Sequence, residues 1–156
     1  MKQTEIAIFL TLNGKANEAI EFYQTLFNGD LLFKITNKEF KERMNPTIEI
    51  PKEEEEFISH SILMIGNLQL QIADNPVYPS MTFVEGTTMS FSVLTKNIGE
   101  AQTLYEDIVA YKDTAILQEP TTNEFADFYA IVKDPYGVII QLTNEREADP
   151  SKKGNQ

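Results

Sequence analysis

The chain of 156 residues has no cysteine, no tryptophan and a single histidine, His60. Without thiols there is no disulfide framework, no thiolate nucleophile and no thiolate metal site. With one histidine, a Ser-His-Asp set could be built only around His60, and no spacing in the sequence reveals one. Basic residues are scarce: 13 Lys and Arg stand against 24 Asp and Glu, for a net charge of −11. Phosphate backbones and anionic lipid both require clustered Lys and Arg, so neither nucleic acid nor a membrane is an expected partner. No apolar run approaches the roughly 20 residues that span a bilayer. Polar residues at the N-terminus lead straight into a strand pattern with no signal-peptide character, which with the missing cysteines makes a cytoplasmic protein the expectation. Asn13-Gly14 alone does not make a glycine-rich phosphate loop.

What is present is a repetition. Glu18-Ala19, Tyr23 and Leu26 recur 82 positions later as Glu100-Ala101, Tyr105 and Ile108, and the same offset pairs Phe9 with Phe91. Gly66 and Gly137 each open a short strand, ending at Gln71 and Gln141. The chain reads as two copies of one strand–helix–strands unit, and the groove between duplicated units is a natural ligand site. A chain of this length buries about two-thirds of its unfolded surface, enough for one domain or two intimately packed halves.

In the first copy, Ile6 to Leu12 alternate as a strand broken by Asn13-Gly14. Ala16, Ala19, Ile20, Tyr23, Leu26 and Phe27 follow at helical spacing. Asn28-Gly29 ends that helix, with Gly29 expected in the left-handed conformation. A strand over Leu31–Ile35 comes next, then a polar connection from Asn37 to Glu56 with the acidic run Glu53-Glu54-Glu55-Glu56. Four adjacent carboxylates lack the spacing that wraps a cation, so the run reads as solvated loop. Phe40, Met44, Ile48 and Ile50 leave open a lid over a groove. Phe57–Ile65 and Leu68–Ala73 read as a hairpin around Gly66-Asn67. The joint, 75–86, carries Val77, Tyr78, Met81 and Phe83, too apolar for a free linker; it is expected to pack on the body or on a second subunit. The second copy repeats the order: a strand through Met89, Phe91 and Val93, and a helix from Ile98 to Val109 opened by a capping-box pattern at Asn97 and Glu100. Strands near Thr114–Gln118, Phe125–Val132 and Val138–Thr143 follow, the last two joined by Asp134-Pro135-Tyr136-Gly137. The polar tail from Glu145 is expected to fray.

This order, with Phe9-Leu10-Thr11-Leu12-Asn13-Gly14 running into Glu18-Ala19-Ile20-Glu21-Phe22-Tyr23, His60 in a strand, Asp74 after the hairpin, and Asp134-Pro135-Tyr136-Gly137-Val138 before Gln141, resembles the vicinal oxygen chelate superfamily. That superfamily includes glyoxalase I, extradiol dioxygenases and bleomycin-resistance proteins. The likeness is greatest to its PhnB-like branch, often labelled by similarity to demethylubiquinone methyltransferases. It spans residues 5 to 144. The resemblance implies an α+β fold of two βαβββ repeats forming a cup-shaped, half-open barrel-like sheet with helices outside. It makes 1–144 a single domain (repeat one 5–74, joint 75–86, repeat two 87–144), followed by the tail 145–156. It also implies a homodimer.

In metal-dependent members four His or Glu ligands face into the cup from the first and last strands of each repeat. Carried over, those positions hold Ala7, Gln71, Met89 and Gln141. A slip of one residue substitutes Ile8, Ile72, Ser90 or Leu142. Divalent metals need deprotonated carboxylate, imidazole or thiolate donors to be held in water. No metal and no cofactor is therefore expected. Alternation puts Leu68, Leu70 and Ile72 towards a helix and Gln69 and Gln71 on the other face. Likewise Val138, Ile140 and Leu142 face a helix, and Ile139 and Gln141 the cup. Phe9, Phe91 and Met89 are expected on the inner face. Such a surface suits an uncharged or planar organic ligand; the same side chains would equally fill the barrel as core.

The expected ligand-binding residues are Phe9, His60, Gln71, Met89, Phe91, Tyr129 and Gln141. His60 shares a face with Ile58, Ile62 and Met64 and reads either as a hydrogen-bonded structural residue or as a base near neutral pH. Asp127 and Tyr129 alternate on one strand face and join His60 as catalytic candidates, or lie at a solvated edge. Asp74 and Asp134 read as turn caps. The leading expectation is a small-molecule-binding protein working without a metal, its acidic surface suited to a cationic ligand. The alternative is a lyase, isomerase or dioxygenase with an atypical site. A structural or regulatory dimer with a filled cup is the third possibility.

Overall fold

Ile8 and Leu10 alternate with Phe9 and Thr11 in strand β1 (Ile8–Thr11), at the start of the first of two βαβββ units in the computed structural model, which describes residues 3–147. The fold is mixed α+β, and the chain divides at Val84/Glu85 into two compact units, a boundary inside the joint read from the sequence. The first unit continues with α1 (Ala16–Phe27), β2 (Asp30–Thr36), α2 (Asn37–Arg43), β3 (Ile58–Ile65) and β4 (Leu68–Ala73). Its sheet has the order β1-β4-β3-β2, with β1 parallel to β4 and the other pairs antiparallel. Helix α1 packs on β3 and β4. The helical stripe Ala16, Ala19, Ile20 and Tyr23 meets Leu63, Leu70 and Ile72, and all seven are fully buried. The period of two in β4 therefore places Gln69 and Gln71 on the face away from the helix.

The second unit contains β5 (Phe91–Leu94), α3 (Ile98–Val109), β6 (Ala115–Thr121), β7 (Ala126–Lys133) and β8 (Ile139–Glu145). The sheet order β5-β8-β7-β6 repeats that of the first unit. Helix α3 covers β7 and β8, burying Ile108, Ala130, Val132, Ile140 and Leu142. Asn97 Oδ1 accepts the Glu100 N–H at 2.8 Å, which is half of the expected capping box. The Glu100 carboxylate accepts instead from Lys96 N–H, one residue before the cap. Among the described residues no helix is long and apolar enough to cross a membrane.

Four sequence expectations need correction. The polar connection after β2 is not a featureless loop: α2 starts at a complete capping box, with Thr36 Oγ1 accepting Glu39 N–H and Glu39 Oε1 accepting Thr36 N–H. Its charged face hid a short helix whose periodicity is too brief to register. At the end of α1, Asn28 and not Gly29 adopts the left-handed conformation, at φ 52°. Gly29 is needed for a different reason: a Cβ there would sit 3.0 Å from Leu63 Cδ1 and 3.2 Å from the Met64 carbonyl oxygen. The C-terminal boundary also shifts, since β8 runs through Glu145 and Arg146 N–H donates to the Phe125 carbonyl; residues 148–156 of the expected tail lie outside the described residues. The last correction concerns Phe91. The turn between β1 and α1 has four residues (12–15), and that between β5 and α3 has three (95–97). The offset of 82 thus holds for the helices, but the strands are related by one residue more. β5 pairs Phe91 with the helix-covered Ile140, and Ser92 with Gln141. Phe91 lies on the face turned to α3 and not on the open face.

Candidate functional site

In the first unit the open sheet face is built from one residue of each strand. Phe9 stands opposite Gln71, Gln71 opposite Ile62, and Ile62 opposite Phe33. Residues in register share a face of the sheet, so an amide and a branched apolar side chain lie between two phenyl rings. His60, two residues before Ile62 on β3, falls on the same face. Its ring stacks on Phe9 with centroids 6.3 Å apart and an interplanar angle of 21°, and meets Phe33 at 6.1 Å and 48°. Gln71 Nε2 donates to Gln69 Oε1 at 2.7 Å, tying the two expected amides together.

Beside this row lies a cavity of about 370 Å³. Phe9, Thr11 and Asn13 form one side and the joint residues Val77, Met81 and Phe83 form the other. The joint shares this space with β1 without being buried there: residues 76–86 are all exposed, Val77 at 72%. No Lys, Arg or His lines this space, and its one ionisable neighbour, Asp74, is committed elsewhere. Asp74, 4% exposed, accepts Gly14 N–H at 2.6 Å and Ala16 N–H at 2.9 Å through Oδ1, and Ile58 N–H at 2.8 Å through Oδ2. It therefore caps α1, whose own N-cap residue, Lys15, makes no side-chain cap. It also pins the turn that carries Asn13 at φ 46° and Gly14 at φ 103°. The reading of Asp74 as a turn cap is correct, but its reach is longer than a local turn.

The second unit presents a different surface. Ser92 stands opposite Gln141, Gln141 opposite Ile131, and Ile131 opposite Gln118. Tyr129 Oη donates to Gln141 Oε1 at 2.7 Å, and Gln141 Nε2 donates to Ser90 Oγ at 2.8 Å. Tyr129 and Gln141 are thus brought together, and Ser90, one step along the chain from the expected Met89, joins them. Asp127 is exposed and pairs with Arg146 at 3.1 Å, the solvated-edge alternative. Met89 lies ahead of β5, 68% exposed. Asp134 accepts Tyr136 N–H and Val138 N–H within its own turn, with Gly137 at φ 88°.

The positions that the resemblance gives to metal ligands hold Ala7, Gln71, Met89 and Gln141, and the register of β5 puts Ser90 beside Gln141 in place of Met89. A divalent ion is not served by this set. Ala7 has no donor atom, and both hydrogen-bonding ends of the Gln141 amide are engaged by Tyr129 and Ser90. Among the described residues no group of three or more His, Cys, Asp or Glu could hold an ion.

A family model described as 3-demethylubiquinone-9 3-methyltransferase matches residues 4–143. The chain belongs to this PhnB-like family. The family lies within the vicinal oxygen chelate superfamily, the resemblance read from the sequence. A PhnB protein from Bacillus cereus, also described as a putative 3-demethylubiquinone-9 3-methyltransferase, is 25% identical. It superposes with a TM-score of 0.69 over 90% of this chain and 99% of its own. The protein PA1353 from Pseudomonas aeruginosa has 19% identity, a TM-score of 0.74 and coverage of 93% and 100%. The fosfomycin resistance protein FosX from Listeria monocytogenes, in a mutant form complexed with Mn(II) and 1S,2S-dihydroxypropylphosphonic acid, has 15% identity, a TM-score of 0.62 and coverage of 94% and 95%. These last two similarities concern the fold. No curated protein matches the chain. The two βαβββ repeats of this PhnB-like protein are the architecture that the sequence resemblance implied.

Proposed function

We propose that this PhnB-like protein binds a small, planar or uncharged organic molecule on the open sheet face of its first unit, without a metal ion. The observation that carries this reading is the meeting of Phe9, His60 and Phe33 on the open sheet face, with Phe9 also lining the cavity of about 370 Å³. A space of that size falls within the roughly 300–1,000 Å³ range of small-molecule pockets. The rings offer flat contact surface, and the Gln71 and Gln69 amides supply the few polar groups that fix a ligand's orientation. Ala7, Gln71, Gln141 and Ser90 or Met89 offer only methyl, amide and hydroxyl or thioether groups, a set that does not hold a divalent ion. The exposed apolar joint residues Val77, Tyr78, Met81 and Val84 support a homodimer in which a second copy covers them.

A binding screen of purified protein by calorimetry, with neutral planar aromatics as probes, tests the reading. Saturable one-to-one binding that Phe9→Ala weakens about tenfold is expected, the loss of one stacked ring. Binding unaffected by Phe9→Ala, or stoichiometric Zn, Ni, Fe or Mn surviving dialysis, would overturn it. Sedimentation velocity tests the dimer. The enzymatic reading, a lyase, isomerase or dioxygenase, draws on one observation: His60 is partly buried and meets the rings of Phe9 and Phe33. Turnover abolished by His60→Ala with binding retained would establish it. The methyl transfer named in the family description is checked by adding S-adenosylmethionine to the same titrations, where no heat of binding is expected.

A further inference from the structure

The first unit holds a second cavity of about 230 Å³, built where α2, the chain after it, β3 and the start of the joint meet. One wall is hydrocarbon: the Phe40 ring with Ile48, Ile50 and Pro51. The other is polar: Glu49, Glu54, Ser59 and the paired amides of Asn37 and Asn75. No Lys, Arg or His lines it. Asn37, 7% exposed, donates from Nδ2 to the Glu54 carbonyl at 3.0 Å and to Asn75 Oδ1 at 3.3 Å, and Asn75 Nδ2 returns a bond to Asn37 Oδ1 at 2.9 Å. The floor is therefore a reciprocal amide pair held on three sides. Asn37 N–H to the Phe57 carbonyl and Lys38 N–H to the Glu55 carbonyl, at 2.8 and 2.9 Å, clamp the chain that forms the rim. The space is braced before any ligand arrives, which lowers the cost of binding.

From this geometry we infer a second ligand site, specific for a small organic cation with a short apolar body, such as an arylalkyl amine. Three independent features agree on that class. The volume is below the range of drug-sized pockets and suits a fragment. The hydrocarbon wall includes an aromatic face that attracts an ammonium group. The only charges on the lining are two carboxylates, within a molecule whose net charge of −11 raises the local concentration of cations. An anion or a phosphorylated compound is repelled by the same set. The site is distinct from the larger cavity, with which it shares no lining residue.

The test uses the full chain with 2-phenylethylamine and its uncharged counterpart of equal shape, 2-phenylethanol, followed by amide chemical-shift perturbation. Saturable shifts at residues 37–59 and Asn75 are expected with the amine, with the alcohol binding about tenfold more weakly for want of charge. The double variant Glu49→Gln/Glu54→Gln, neither side chain being buried, should keep its thermal midpoint and lose about tenfold in amine affinity. Equal binding of amine and alcohol, amine affinity unchanged in the double variant, or shifts confined to Phe9, Val77 and Phe83 would each overturn the inference. So would an absence of saturable binding up to millimolar amine.

Discussion

The two units share one topology and present unlike surfaces. Across the sheet of the first, the open row reads Phe9, Gln71, Ile62, Phe33; across the second it reads Ser92, Gln141, Ile131, Gln118. The central amide and its β-branched neighbour are kept, and the two ends change from aromatic to polar. The buried carboxylates differ in the same spirit. Asp74 joins three segments separated by up to 60 residues in sequence, and Asp134 accepts Tyr136 N–H and Val138 N–H in the turn after β7. The difference teaches that duplication preserved the side of each unit that packs on its helix, where shape is constrained by close packing. The exposed sides were free to diverge into an aromatic surface and a hydrogen-bonded one.

Removing the Asp74 carboxylate from the first unit should give the largest effect. Asp74→Ala leaves three backbone donors without their acceptor and is expected to cost about 4 kcal/mol. Urea denaturation measures it, and a loss below about 1 kcal/mol would remove the clamp given to this carboxylate. The phenylalanines come next. Phe91→Ala, on the helix-covered face, should cost about 2 kcal/mol, and Phe9→Ala, 41% exposed, less than about 1 kcal/mol. Phe9→Ala should lose ligand where Phe91→Ala does not; the reverse order would restore the uniform offset of 82 and undo the register of β5.

A smaller effect is expected from Tyr129→Phe. It frees Gln141 Oε1 and costs about 1 kcal/mol by thermal denaturation. It should leave ligand binding by the first unit unchanged, and a loss of binding would mean that the polar face takes part. Least of all, helix α2, which has no counterpart in the second unit, should respond to acid. The Thr36 N–H, then its hydroxyl, hold the Glu39 carboxyl below the ordinary carboxylate range. A carboxyl lowered on folding contributes stability that is present above its unfolded value and lost as the pH falls through the folded one. Cα chemical shifts of residues 37–43 should therefore lose helical character on acidification before those of α3, and Thr36→Ala, costing about 1 kcal/mol at neutral pH, should narrow the difference without abolishing it, because alanine keeps the backbone N–H that binds the Glu39 carboxylate. Simultaneous loss in both helices would remove the role given to the cap.

Much of this was legible in the chain. Ala16, Ala19, Ile20 and Tyr23 at helical spacing announce α1, and Leu70 and Ile72 against Gln69 and Gln71 announce both faces of β4, because side-chain periodicity is a local property of the backbone. The pairing of His60 with Phe9 and Phe33 was not legible, since it requires three strands brought together in register. Ser90 was hidden as the partner of Gln141 for a simpler reason: a turn one residue shorter shifts β5 while leaving the helix spacing intact. The helix α2 had a usable signal in Thr36 and Glu39, an N-cap and its third residue, obscured by the acidic run beyond.

The amino-acid sequence alone determined the two repeats and the positions of their strands and main helices, which follow from residue type and short-range spacing. Tertiary structure decided the register of β5 and the reach of Asp74 from the end of β4 to the start of α1. It also decided that joint residues and β1 line one cavity. Each of those depends on contacts between segments far apart in the chain, and their geometry is fixed only when the sheets have formed and the backbone donors have found their acceptors.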